Sequence, residues 1–108
     1  MSETKEYVPA IKITERQFMR AVTDLAGYLG WRSYHEVTSF GSKPGKPDLE
    51  LSHEQHGLLF LELKVGNRQP TEAQRDWLDW YRQCRIPAYL VRPSDMEFLE
   101  RLLKGESA

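Results

Sequence analysis

An α/β fold of element order αβββαβα, a four-stranded mixed sheet flanked by helices, is predicted by three features of the sequence. Capping-box segments precede stretches of helical period. Two apolar-rich segments flank one polar turn that closes on a glycine. The second of them, 58–65, is apolar on both faces up to Glu62. Helix and strand signals in this order bury one sheet between helices.

The elements follow in turn. Residues 1–12 have no period and read as an irregular arm, ahead of a single domain over 13–104 and a tail at 105–108. Thr14-Glu15-Arg16-Gln17 fits a capping box, in which the Thr hydroxyl and the Gln side chain each satisfy the other's free backbone N–H. Phe18, Val22, Leu25 and Leu29 follow at helical spacing, with Met19 and Ala26 widening the stripe, and the helix should end between Gly27 and Gly30. Trp31 to Val37 reads as a short strand. Thr38 to Pro47 is rich in Gly, Ser and Pro and carries Lys43 and Lys46 without an acid, a basic loop immediately upstream of Asp48.

From Asp48 to Ser52 the residues alternate, Leu49 and Leu51 on one face and Asp48, Glu50 and Ser52 on the other. After the turn His53-Glu54-Gln55-His56-Gly57, the run Leu58 to Val65 reads as a central strand covered on both sides. Thr71-Glu72-Ala73-Gln74 opens a helix to about Gln83, PAYLV (87–91) is a further strand, and Ser94-Asp95-Met96-Glu97 caps a last helix ending at Leu103. There is no internal repeat.

The 108 residues suffice for one core and not for two. Hydrophobic residues at 40% and charged residues at 29% are ordinary for a globular domain. The lone Cys84 excludes an intrachain disulfide and a cysteine-based metal site. No apolar run is long enough for a membrane span, and the amino terminus has no signal-peptide core, so a cytoplasmic location is expected, nucleoid-associated during action. A net charge of -1 is low for a protein that holds nucleic acid by charge alone. The basic residues nevertheless gather near one place, with Lys43, Lys46 and Arg68 around the hairpin.

The hairpin carries the chemistry. Strand alternation puts Glu62 and Lys64 on one face with Leu58 and Phe60, while Asp48 opens the neighbouring strand at the same end. Burying these charges unpaired would cost several kcal/mol, so they compensate one another or hold a cation. Two carboxylates and a strand carbonyl, that of Leu63, make an oxygen donor set suited to magnesium or manganese. Such an ion acidifies water and neutralises charge building on a phosphate, and Lys64 would orient that water or steady the transition state. The set suits phosphodiester hydrolysis. Pro-Asp and Glu-x-Lys are each cheap as motifs, and Glu3-Thr4-Lys5 repeats the latter with no strand around it. It is the placement in a hairpin that gives them meaning. Glu15 shares the inward side of the first helix and is positioned to approach as an outer ligand; a helix-dipole role is the other reading. His53 and His56 read as solvated turn residues. His35 lies on the strand before the basic loop, where it faces either the substrate groove or the protein.

Taken together these residues resemble the PD-(D/E)XK nuclease superfamily, and within it the small VRR-NUC domains of phage and bacterial proteins. The resemblance runs from Thr14 to Leu103 and rests on TERQFMRAVTDLAGYLGW, GKPDLEL, LLFLELKVG, PTEAQRDWLDWYR and VRPSD, in that order. It implies a restriction-endonuclease-like core, with Asp48 and Glu62 as metal-binding carboxylates and Lys64 as the catalytic lysine. Glu15 matches the first-helix glutamate, and Gln74 the glutamine opening the helix after the motif, although a capping Gln at that position has a purely local use. Lys46 departs from the apolar residue often found there. The implied activity is a magnesium-dependent DNA endonuclease, with manganese as substitute, leaving 5'-phosphate and 3'-hydroxyl ends. The DNA contacts expected are Lys43, Lys46, Arg68, Ser39 and His35. A homodimer acting on branched DNA, the four-way junction above all, follows from the need to cut two strands with one site per chain. The aromatic-rich second helix and the apolar last helix are the candidate interface elements. Competing readings are a catalytically degenerate DNA-binding or scaffolding module and an interaction domain whose Glu62–Lys64 pair is only structural.

Overall fold

The computed structural model describes residues 12–35 and 44–106. Helix α1 spans Glu15–Tyr28, strand β1 Arg32–Tyr34, β2 Leu49–His53, β3 Gly57–Leu63, α2 Glu72–Gln83, β4 Ala88–Val91 and α3 Met96–Leu103. A 3-10 turn at Pro93–Asp95 precedes α3. The strands form one sheet in the order β1-β2-β3-β4, antiparallel except for the parallel β3–β4 pair. The expected mixed α/β sheet and element order are therefore present.

Local chemistry starts the first two helices where expected. Thr14 and Gln17 exchange backbone-to-side-chain hydrogen bonds of 2.9 and 3.0 Å, and Thr71 and Gln74 do the same at 2.8 and 3.1 Å. The third box does not form. Pro93 opens a 3-10 turn there, and the Asp95 carboxylate reaches back to accept the Arg92 N–H at 2.7 Å, so Asp95 rather than Ser94 holds the turn.

Alternation along β3 divides the core. Leu59, Leu61 and Leu63 join Leu49 and Leu51 against Phe18, Val22 and Ala26 of α1 and Leu99 and Leu103 of α3. On the opposite face Phe60 packs with Ala88 and with Leu78 of α2. Helix α2 covers that face over β3 and β4 and leaves Tyr34 and Leu58 exposed toward β1.

Three expectations are corrected. β1 is three residues long, because the chain leaves α1 through a tight turn that sends Trp31 into the core instead of the sheet; its Nε1–H donates to the Leu103 carbonyl at 2.8 Å. The part of the expected strand beyond His35 lies outside the described residues. His53 is half-buried, its ring 5.1 Å from that of Trp31 and 4.4 Å from that of His56, since the hairpin turn folds onto the end of α1. Of the apolar residues of α3, Leu99 and Leu103 are buried in the core and so closed to a partner, while Met96, Phe98 and Leu102 pack beside them half-buried. No described helix is long and apolar enough to cross a membrane.

Candidate active site

Asp48 immediately precedes β2, and Glu62 and Lys64 lie at the end of β3, so the register of the hairpin brings them together. Leu49 faces Leu61, which places Asp48 beside Glu62 on the α2 face of the sheet. The Asp48 carboxylate completes the ladder: its Oδ2 accepts the Leu63 N–H at 2.9 Å. Lys64, one residue past the strand, donates its N–H to Val91 of β4 at 3.0 Å. By alternation the Leu63 carbonyl then points toward β2, the side on which Asp48 sits.

Glu62 is 1% exposed and Lys64 6%, the two buried charged side chains among the described residues. The Lys64 Nζ stands 3.7 Å from Glu62 Oε2, an ion pair too long for a good hydrogen bond. Neither Glu62 oxygen has a hydrogen-bond partner among the described residues. Burial pushes the Glu62 carboxyl up to about 8, helped by the negative Asp48 beside it and opposed by Lys64, with a smaller push from Glu15.

A buried carboxylate with two unpartnered oxygens, next to a second carboxylate, is costly unless a cation joins it. Asp48, Glu62 and the Leu63 carbonyl fit a divalent hard ion by donor type, magnesium or manganese before zinc. Among the described residues no three His, Cys, Asp or Glu side chains gather into a ready metal cluster. Glu15 adds its negative charge to this pair. It is exposed in the first turn of α1, which packs mainly on the far face of the sheet, and it reaches Glu62 through its charge.

The remaining candidates distribute as follows. Gln74 has its side-chain oxygen engaged by the Thr71 N–H, so the cap has first claim on it. Lys46 is exposed at the mouth of β2 with its Nζ 5.7 Å from the centre of the Trp77 ring. Arg68 is exposed in the turn after β3, and His35 is exposed just beyond β1. Ser39 and Lys43 lie outside the described residues.

Sequence reasoning missed two groups. Arg92 donates from its guanidinium to the Gly66 carbonyl at 3.0 Å and so ties β4 to the turn that follows Lys64. Trp77 donates its Nε1–H to the Pro44 carbonyl at 3.1 Å. The quoted segments VRPSD and TEAQRDWLDWYR contain both residues, but nothing local to either marks a partner so distant in the chain.

Comparison with known proteins agrees with this architecture. No protein-family model matches the sequence, and no curated protein matches it. A solved structure described as a VRR_NUC domain protein superposes with a TM-score of 0.65, covering 85% of this chain and 91% of that one at 19% identity. The fold of the chain is thus that of a VRR_NUC domain protein, restriction-endonuclease-like, as the resemblance implied.

Proposed function

We propose that the chain is a divalent-metal-dependent DNA endonuclease that hydrolyses phosphodiester bonds. The observation that carries this reading is Glu62, buried at the end of an internal strand with both oxygens unpartnered, beside Asp48 and Lys64. That constellation sits in a fold shared with a VRR_NUC domain protein, whose name describes a nuclease domain.

Asp48, Glu62 and the Leu63 carbonyl would hold magnesium or manganese. When bound, the ion supplies Lewis acidity and positive charge at a phosphate oxygen. The chain's own groups do the rest. Asp48 is aimed by the Leu63 N–H. Lys64 keeps a cation beside the carboxylates, where it can stabilise charge developing on the phosphate or orient a water. Lys46 and Arg68, with Lys43 and Ser39, are the proposed contacts to the DNA backbone, and His35 a further one. Glu15 acts from outside the carboxylate pair, and Gln74 through whatever its cap leaves free. The preferred substrate is branched DNA, cut by a homodimer.

The test uses purified protein with end-labelled linear, nicked, flapped and four-way DNA, with and without magnesium. Cleavage should require the ion and should fall at least about 100-fold in Lys64→Ala, by loss of transition-state stabilisation. Binding without cleavage under every metal condition would instead identify a degenerate DNA-binding module. Equal cleavage by Lys64→Ala would remove the lysine from the mechanism.

A further inference from the structure

The segment 44–47 delivers the chain into Asp48, and it is docked on the first turns of α2. Three contacts make the dock. The Trp77 Nε1–H donates to the Pro44 carbonyl at 3.1 Å, and the Lys46 ammonium lies over the same ring. Gly45 presses its backbone onto the helix: with φ at +92°, a Cβ there would fall 2.6 Å from the carbonyl carbon and oxygen of Ala73. Glycine is required at that position twice over, by conformation and by space.

Trp77 also reaches the other half of the site. Its ring tilts against Tyr81 at 5.6 Å, and Tyr81 stacks on Phe60 at 4.4 Å and 6°. Phe60 precedes Glu62 on the same face of β3. One helix surface therefore touches both the loop that carries Asp48 and the strand that carries Glu62.

We propose that Trp77 is a positioning residue for Asp48. By holding the 44–47 segment on α2, it keeps the Asp48 carboxylate against the Leu63 N–H and sets its placement relative to Glu62. Only Lys46 and Pro47 separate the docked glycine from Asp48, so little chain remains to absorb a shift of the loop. If Trp77 served packing alone, a ring of similar shape without the N–H would leave Asp48 undisturbed.

Amide hydrogen exchange on the metal-free protein separates these cases. The Leu63 N–H bonds to Asp48, whereas the neighbouring Lys64 N–H bonds to Val91 and acts as an internal reference. Trp77→Phe retains the aromatic contact with Tyr81 but removes the donor to Pro44. It should lower Leu63 protection about tenfold, the worth of one weakened hydrogen bond, with Lys64 unchanged. Gly45→Ala attacks the same dock from the loop side and should give the same pattern. Leu63 protection equal to wild type in either folded variant, or Leu63 and Lys64 falling together, would overturn the proposal. The activity arm rests on the nuclease reading: in both variants kcat should fall while KM for DNA changes little. A wild-type protein that cuts no DNA would defeat that reading and leave the exchange result to stand or fall separately.

Discussion

Glu62 is buried with neither carboxyl oxygen hydrogen-bonded among the described residues, and this makes its proton affinity measurable as stability. The folded protein holds the proton up to about 8, against an ordinary value of 4.5. The contribution is therefore fully present below the unfolded value and is lost as pH rises through the folded one. Denaturant unfolding of the metal-free protein from about pH 5 to about pH 9 should show wild type losing up to about 1.4 kcal/mol per pH unit more than Glu62→Gln inside that window. Parallel profiles for the two proteins would show that Glu62 is not the group titrating. Magnesium should raise the melting temperature more at about pH 8 than at about pH 6, because binding must displace the proton that Glu62 keeps at the lower pH. That Asp48 and Glu62 meet at one end of the hairpin was legible in the sequence. The size of the perturbation was not, since it arises from burial in the folded domain and from Asp48, an adjacency that only pairing of the hairpin creates.

Each helix ends in the same hydrogen-bonded cap, and one of the three carries an unexpected residue. In α1 the Gly30 and Trp31 N–H groups return to the Gly27 and Ala26 carbonyls; in α3 Gly105 and Glu106 return to Leu102 and Arg101. In α2 the corresponding donors are Arg85 and Ile86, bonding to Arg82 and Tyr81. The cap needs a left-handed residue, and Arg85 adopts it with φ at 65° where the other helices use glycine. Arg85→Gly should therefore stabilise the protein by about 1 kcal/mol, read as a higher urea midpoint at unchanged slope. A midpoint at or below wild type would mean that the arginine side chain repays its backbone strain. Helix starts were legible because a capping box is local, as at Thr14 and Thr71. The start of α3 was misread because Pro93 shifted the reciprocal bond to Asp95 and Arg92.

At the level of the assembly, the proposed action on branched DNA needs two sites, and each chain supplies one. The surface available for pairing is narrower than the sequence implied, because Leu99 and Leu103 of α3 lie in the core. Trp80 on α2 is 55% exposed and remains the large apolar side chain of that helix open to a partner. Light scattering at working concentration should give about twice the 12.6 kDa chain mass, and Trp80→Lys should shift the population toward single chains. A wild-type protein of one chain mass that nicks flaps as readily as junctions would sink the dimeric resolvase reading and leave the endonuclease intact.

The sequence by itself determined the element order, the starts of α1 and α2, and which side chains of β2 and β3 share a face. Those properties depend on hydrogen bonds and periodicities a few residues long. It also singled out Asp48, Glu62 and Lys64, because strand alternation places charges from one hairpin at one end. Only the tertiary structure decided that the Leu63 N–H aims Asp48, that Trp77 bonds to the loop ahead of it, and that the two turn histidines stack on each other beside Trp31. Each of these joins segments far apart in the chain, so its free energy exists only after the sheet and helices have packed, and no local pattern records it.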